Sequence, residues 1–541
     1  MAKSKSDWIW WKHGVIYHIY TRSFKDSNND GIGDIVGIIE KLDYLADLGI
    51  DGIWLSPVYQ SPMSDFGYDI SDYKSIDPTF GTIAEFKLLI AEAHKRDIRI
   101  IMDMVMNHTS DQHPWFIESR SSKDNLKRDW YIWKEGKNGF APNNWKSTFG
   151  RSAWEKDSAT NQYYLHSFLK EQPDLNWRNK ELRNVFFDEI RFWLELGVDG
   201  FRLDVINLIA KDKKFRNNPG WLSFLGLQKP RFTRNRGRSY KIVSKLRALV
   251  DQYPDKMLVG EILTLPPGNS SIAASYLGDG QNMLNMAFDF SLIFRRWHAQ
   301  SYFKTIQNWY NHIPSKGWPC HVLSNHDLYR SLNRLGIGND KLEKAKVAAV
   351  LLLTLRGTPF LYYGEEIGME NIKLSRKDVQ DPLGKKFWPI FTGRDQARSP
   401  MQWDAGLNSG FSNSTPWLPL SKKFKEVNVQ EQLRNSESLL NLYKKLILLR
   451  KESIAIQSGK WIPFIKGNND VIAYFRKKKK EKYLIILNFK AQQKAIQLSK
   501  KDYWKVALSS AKRSAGDVVH QNIRLNKLEA LVLKQIPNNS K

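Results

Sequence analysis

The strongest constraint on this chain is an alternation. Between Val15 and Tyr363, apolar runs of strand length recur, and stretches with helical spacing fall between them. The runs are Val15–Tyr20, Ile50–Leu55, Ile98–Val105, a short strand within Gly197–Asn207, Met257–Glu261, a run near Leu284–Phe290, His321–Ser324 and Thr358–Tyr363. One helical stretch places Ile35, Ile38, Ile39, Leu42, Leu45 and Leu48 on one face. Thr82 and Glu85 form a capping box for another. Asn179 opens a third, with Leu182, Val185, Phe186, Ile190, Trp193 and Leu194 inward, and a fourth covers about 341–355. Strand, helix, strand implies a parallel sheet, and eight such units predict a closed (β/α)8 barrel of the TIM type.

The alternation is interrupted once. Residues 109–175 are rich in Trp, Asn, Ser and Lys, have weak periodicity and are too long for an ordinary loop. They are expected to be a subdomain inserted after the third strand. Past residue 465 the pattern becomes short alternating strands, as in Val471–Phe475, Tyr483–Phe489 and Ala530–Leu533, which predicts an antiparallel β-sandwich domain over 465–541. The barrel is then residues 1–108 and 176–464, with 1–12 a polar tail.

Composition narrows the class. A chain of 541 residues, 42% hydrophobic and 13% aromatic, is expected to be folded and soluble with more than one domain. No apolar run reaches the length of a membrane span. The start, Met-Ala-Lys-Ser-Lys-Ser-Asp, has no apolar core behind it and predicts no secretion signal. A single cysteine, Cys320, excludes an internal disulfide and suits a reducing compartment, so a cytoplasmic location is expected. The net charge of +27 raises nucleic acid or an anionic membrane as partners. The basic residues are dispersed, however, and the densest run, Arg476–Lys480, reads as a solvated hairpin tip. A second basic segment spans Lys211–Lys241. Neither nucleic acid nor membrane is expected as a partner, and the chain is taken as a monomer or homodimer.

Charges interrupt the apolar strands at their carboxyl ends, where barrels of this kind place their active sites. Arg202 and Asp204, two apart in a strand, share a face. On its own that pair reads equally as a structural salt bridge. Asp103 with His108, Glu261, and His326 with Asp327 stand at three other strand ends, and several carboxylates at one mouth repel one another. Two carboxylates flanking a glycosidic bond can cleave it through an oxocarbenium-like state. Asp204, paired with Arg202, is expected to stay ionised as nucleophile; Glu261 is expected to hold the proton. His13, His94 and His312 have no such company. Upstream, Asp26, Asn28, Asp30 and Asp34 alternate with Gly31 and Gly33, an arrangement that could cage a hard cation, with Ile32 adding its carbonyl oxygen. The loop lacks an acid at the twelfth place, where Gly37 stands, and reads alternatively as an Asp/Asn turn with Asp34 capping the next helix.

These motifs together resemble the α-amylase superfamily, family 13 of the glycoside hydrolases, and within it the α-glucosidase and oligo-1,6-glucosidase branch. The matching segments are Asp103 to His108, Gly200 to Asp204, Gly260-Glu261, Asn325-His326-Asp327, Gln172 to Asn176, the Asp26–Asp34 loop and Gly393 to Trp403. The resemblance implies a retaining, exo-acting enzyme on short α-glucosides. Asp204 is implied as nucleophile, Glu261 as acid/base and Asp327 as stabiliser of the transition state. It assigns Asp65, Tyr68, His108, Arg202, His326 and Arg398 to the terminal glucose, with Asp65 and Arg398 paired at the closed end and Phe168 as an apolar wall. For Asp65-Phe-Gly-Tyr68 an ordinary aromatic turn is the alternative. The cation at Asp26, Asn28, Asp30, Ile32 and Asp34 is implied to be structural Ca2+ or Mg2+, with no organic cofactor. Val205, after the nucleophile, accompanies α-1,6 cleavage in this branch. The run from Gln380 to Phe387-Trp-Pro resembles relatives that act on α-1,4 bonds or transfer glucose, so an α-1,4 glucosidase, a transglucosidase and a sucrose-isomerase type of enzyme stay open as alternatives.

Overall fold

A computed structural model describes residues 8–220, 228–264, 267–336, 338–465 and 470–537. Part of the basic Lys211–Lys241 segment, residues 221–227, lies outside them, as do residues 1–7 of the expected tail.

Eight parallel strands form the barrel wall. They are β1 (Ile16–Ile19), β2 (Gly52–Leu55), β3 (Arg99–Val105), β4 (Gly200–Asp204), β5 (Met257–Gly260), β6 (Met286–Ala287), β7 (Cys320–Val322) and β8 (Thr358–Tyr362). Their order in the sheet is β6-β5-β4-β3-β2-β1-β8-β7. The two ends of that order, β6 and β7, meet at a seam, where the Cys320 thiol donates to the Ala287 carbonyl at 3.2 Å. The sixth strand is two residues long, far shorter than the apolar run from Leu284 to Phe290 predicts.

The strands are buried along their whole length apart from Arg99 at the start of β3, as strands covered on both faces must be. Alternate residues divide between two cores. Ile16, Trp54, Ile101, Val259, Met286, Val322 and Phe360 fill the barrel interior. Tyr17, Ile53, Ile100, Leu258, Ala287 and Leu361 pack outward against the helices. Residues 10–12 are not part of a polar tail: Trp10–His13 is a short helix whose Trp10 joins the interior core and donates to the Asp255 carbonyl at 2.8 Å.

The helices begin where their caps predict. Thr82 and Glu85 make the reciprocal capping box of Ile83–Lys95, and Asn179 accepts from the Leu182 amide to start Lys180–Leu196. The stretch from Ile35 to Leu48 breaks at Lys41 into two helices, Ile35–Glu40 and Leu42–Leu48. Within 109–175 a three-stranded sheet forms from Trp133–Lys134, Trp154–Lys156 and Tyr163–Leu165.

The C-terminal sheet starts at Lys460 and has six strands, five of them over Val471–Lys478, Glu481–Asn488, Tyr503–Ser509, Val518–His520 and Ala530–Ile536. A two-stranded sheet, Lys494–Gln497 with Asn522–Leu525, covers one face across a core of Ile496, Ile523, Leu484 and Leu533. The layers of this sandwich are therefore unequal. The hairpin tip turns at Lys479 and Lys480, but Arg476 is not solvated. It is fully buried and donates to the carbonyls of Thr354 and Gly459, which ties the sheet to the barrel.

Candidate active site

Strand register assembles the centre of the site. Asp103 of β3 lies opposite Arg202 of β4, and Val105 opposite Asp204. On the other side, β5 places Val259 opposite Arg202 and Gly260 opposite Leu203, and the Glu261 amide donates to the Leu203 carbonyl at 2.9 Å. The close approach of β5 needs Gly200, where a Cβ would stand 2.6 Å from the Met257 carbonyl oxygen. Below this level the interior is apolar; at this level it is charged.

One guanidinium serves three carboxylates. Arg202 Nη1 lies 2.7 and 2.9 Å from the two oxygens of Asp103 and 2.8 Å from Asp204, while Nη2 contacts Glu261. Asp204 and Glu261 are thus held on the two terminal nitrogens of one guanidinium. Burial works against Arg202's charge, but Asp103, Glu261 and Asp204 outweigh it and hold it cationic. Burial pushes Asp204 well above the ordinary carboxylate range; Arg202 resists, and Glu261 and Asp103 add to the rise. Burial likewise raises Glu261 against Arg202, reinforced by Asp327. Asp103 is pushed up to about 6 by burial. Pairing with Arg202 therefore does not single out Asp204 as the ionised member. All three carboxylates share the cation, and the set holds on to a proton.

Val205 follows Asp204 with φ 35° and ψ 41°, in the left-handed region. For a β-branched side chain this is a strained state, worth ~1–3 kcal/mol at such sites. The strain turns the chain sharply after Asp204 and aims the Val205 amide at Glu261, at 3.5 Å.

A cavity of about 270 Å³ opens over these groups. Asp65, Tyr68, His108, Phe168, Asp204, Val205, Glu261 and Asp327 line it. Arg202, His326 and Arg398 do not line it; they are buried directly behind its wall. His326 Nε2 meets the Tyr68 hydroxyl at 2.7 Å, which in turn reaches Asp103 at 3.0 Å. Arg398 donates to the His326 carbonyl at 2.8 Å and to Asp327 at 3.1 Å. Burial, with Arg398 and Arg202 nearby, holds His326 neutral, and burial lowers His108 to about 4.

The expected Asp65–Arg398 pair is not formed. Arg394 takes that place, with Nη2 at 2.6 Å from Asp65, 2.7 Å from the buried Asp381, and Nη1 at 3.4 Å from Asp327. Arg394 and Arg398 flank a 3-10 turn, Asp395–Ala397, which directs one into the cavity and the other behind it. Both arginines lie in the Gly393–Trp403 motif, from which the resemblance implies Arg398 as the partner of Asp65; the folded turn gives that place to Arg394. Asp65 itself is set by a tight loop. Met63, Phe66 and Gly67 have φ of 65°, 51° and 101°, and the Asp69 carboxylate accepts from the amides of Ser64 and Asp65. Gln172 joins Asp65 to His108 at 3.2 and 3.1 Å. Asp174 binds Lys211 at 2.8 Å and Asn107 at 3.0 Å, which fixes the end of the 109–175 segment to the barrel rim. Phe149, Phe290, Phe294, Leu328, Leu383 and Phe391 are among the further lining residues, with Thr148, Thr264 and Asn325 beside them. None of the apolar ones was predicted, since an apolar side chain carries no mark of cavity or core.

The Asp26–Asp34 loop is a nest of turns. Asp26 accepts from the amides of Asn28, Asn29 and Gly31, Asp30 from Ile32, and Asp34 from Ser27 and, as helix cap, from Gly37. The capping alternative is thus realised. The donors are hard oxygens of the kind Ca2+ or Mg2+ takes. Among the described residues, however, no group of three or more His, Cys, Asp or Glu side chains converges as a metal cage.

Comparison with known proteins agrees with this geometry. Residues 18–459 match the alpha amylase catalytic domain and 461–535 the alpha amylase C-terminal all-beta domain. The chain is 42% identical over 511 residues to an oligo-1,6-glucosidase of Parageobacillus thermoglucosidasius, covering 89% of this chain and 90% of that protein. Among solved structures, an alpha-glucosyl transfer enzyme is 36% identical with a TM-score of 0.92, covering 98% of this chain and 100% of that one. The trehalulose synthase of Pseudomonas mesoacidophila MX-45 is 36% identical with a TM-score of 0.89, covering 97% and 99%.

Proposed function

We infer the function from one premise: this chain belongs to the alpha-amylase family of glycoside hydrolases. The reading is a retaining, exo-acting α-glucosidase on short oligosaccharides that favours α-1,6 bonds. The observation that carries it is the Asp204–Arg202–Glu261 cluster at the floor of a closed-ended cavity. Asp204 attacks the anomeric carbon while Glu261, carrying the proton that the carboxylate set retains, gives it to the departing oxygen. A water then attacks from the vacated side, and Glu261 takes its proton. Asp327, held by Arg398 and Arg394, faces the positive charge that develops on the sugar. The Asp65–Arg394 pair in the cavity lining would close it beyond the terminal glucose, which is the basis for exo action in this reading.

Val205 supports the α-1,6 lean, as do the oligo-1,6-glucosidases among the relatives. The test compares kcat/KM on isomaltose and maltose for the wild type and Val205→Thr, with the anomer of the first product read by NMR. Preference for isomaltose, reduced in the variant, and an α-anomeric product are expected. A strong wild-type preference for maltose would sink the lean, and a β-anomeric product would sink the retaining mechanism. The second reading, glucosyl transfer or sucrose isomerisation, draws on the neighbours named above and on the apolar mouth. Turnover of sucrose to an isomer in place of glucose and fructose would favour it.

The same reading takes the Asp26–Asp34 loop as a structural Ca2+ or Mg2+ site, supported by its donor chemistry. Added Ca2+ should raise Tm by several degrees and EDTA should reverse it; an unchanged Tm counts against the ion. No helix among the described residues is long and apolar enough to cross a membrane. A reducing, cytoplasmic setting is proposed on the single buried cysteine, Cys320, and a monomer or homodimer, free of nucleic acid, is proposed with it.

A further inference from the structure

We propose that Asp69 is a positioning residue for the terminal-glucose pocket: its carboxylate holds the loop 61–67 in the one shape that presents Asp65 to the cavity. The inference rests on the glucosidase reading and adds a residue behind the cavity wall. Asp65 lines the cavity; Asp69 is fully buried and does not.

Three donors converge on Asp69. The amides of Asp65 and Ser64 donate to Oδ1 and Oδ2 at 2.9 and 2.8 Å, and the Ser61 hydroxyl donates to Oδ1 at 3.0 Å. Ser61 is fixed in turn. Its amide donates to Asp77 at 3.0 Å, and its hydroxyl accepts from the Met63 amide at 3.0 Å. Between these anchors Met63 and Phe66 hold φ of 65° and 51°, a state that side chains rarely adopt. Such a state persists only where its surroundings over-determine it, and the Asp69 carboxylate is the group to which the loop is tied.

For stability alone a charge is a poor choice here. Asp65 is paired with Arg394 at 2.6 Å, whereas Asp69, among the described residues, meets hydrogen-bond donors and no cation. Burial pushes its carboxyl up to about 6; the amides of Asp65 and Ser64 resist, and the Asp65 charge adds to the rise. Asp69 is therefore ionised at neutral pH, with acceptors on both oxygens. Asparagine has one acceptor oxygen and would turn its NH2 against an amide N–H. What the charge gains is geometry. Two successive amides locked to one side chain leave the Asp65 carboxylate one direction, towards Arg394 and Gln172.

The test measures the Kd of 1-deoxynojirimycin, a glucose-shaped amine, by calorimetry at one neutral pH. Wild type, Asp69→Asn, Asp65→Ala and the double variant are compared, with glucose release from maltose and isomaltose read alongside. Asp69→Asn should weaken binding about tenfold, the value of one lost hydrogen bond to a charged group. With Asp65 already replaced by Ala, the same change should weaken it by less than about twofold, since no carboxylate remains to be positioned. Ser61→Ala, which leaves both amides in place, should show the same pattern at about threefold. It decides the matter if Asp69→Asn fails to fold. An equal loss with and without Asp65, or no loss in either, overturns the inference: Asp69 then serves the fold alone, and glucose release by the wild type leaves the glucosidase reading intact. A wild type that neither binds the amine nor releases glucose overturns that reading and this inference with it.

Discussion

At the scale of the residue, the site is a problem of sharing cations. Arg202 holds three carboxylates and Arg394 another three, Asp65, Asp381 and Asp327. Removing a cation leaves its buried partners unpaired, which costs about 3–5 kcal/mol. Arg394→Ala should therefore lower both kcat/KM, by more than about a hundredfold, and Tm. Arg398→Ala, behind the wall, should act mainly through Asp327; kinetics in which Arg394→Ala is near wild type would reject the Asp65 pairing. Asp103 is a like charge that helps to hold Asp204 up. Asp103→Asn removes it, so the last proton of the set leaves at lower pH. The alkaline limb of kcat/KM should move down, and a limb that stays or moves up would contradict the coupling. Strand-end acids and their partner Arg202 were legible in the sequence because a period of two fixes their side. Arg394 was not, because four residues in a turn can point either way until the turn is folded.

At the scale of the element, caps and strand positions were readable to within a few residues, and lengths less so. The capping box at Thr82 and the Asn179 cap name the helix starts through specific side-chain bonds. Lys41 interrupts a continuous apolar spacing, and nothing in that spacing marks the break. β7 carries a titration handle in His321, whose Nε2 lies 2.9 Å from the Arg356 carbonyl and 3.2 Å from the Tyr310 hydroxyl. Burial lowers it to about 4. The unfolded chain takes up its proton near pH 6.5 and the folded one only near 4, so stability is lost as pH falls between those values. From pH 7 to pH 5 this amounts to about 2 kcal/mol at ~1.36 kcal/mol per unit. His321→Gln lacks the linkage, so the stability gap between variant and wild type should narrow by that amount in urea titrations at the two pH values. A constant gap would show that His321 protonates normally.

At the scale of the whole molecule, barrel and C-terminal sheet are joined through buried charge as well as apolar contact. Arg476 donates from the sheet to the carbonyls of Thr354 and Gly459, and Trp297 of the barrel stacks on Phe489 at 4.3 Å. A basic run at a hairpin predicts solvent exposure, and its first member instead turned inward because its register faces the barrel. Charged hydrogen bonds contribute about 1.5–3 kcal/mol each. Arg476→Ala should lower Tm markedly, with calorimetry resolving whether sheet and barrel then melt apart; a Tm within a degree of wild type would mean the contact is idle.

The thiol of Cys320 closes a wall whose other neighbours are joined by strand ladders, the shortest of them the two-pair ladder between β5 and β6. A ring with seven laddered joints and one that has no ladder yields first at the one without. The segment just past that joint, leaving β6, carries Phe290 and Phe294 to the rim of the cavity. Opening of that joint would therefore be expected to alter the width of the doorway through which guests come and go. The rest of the circumference, and the carboxylates seated on it, can stay still.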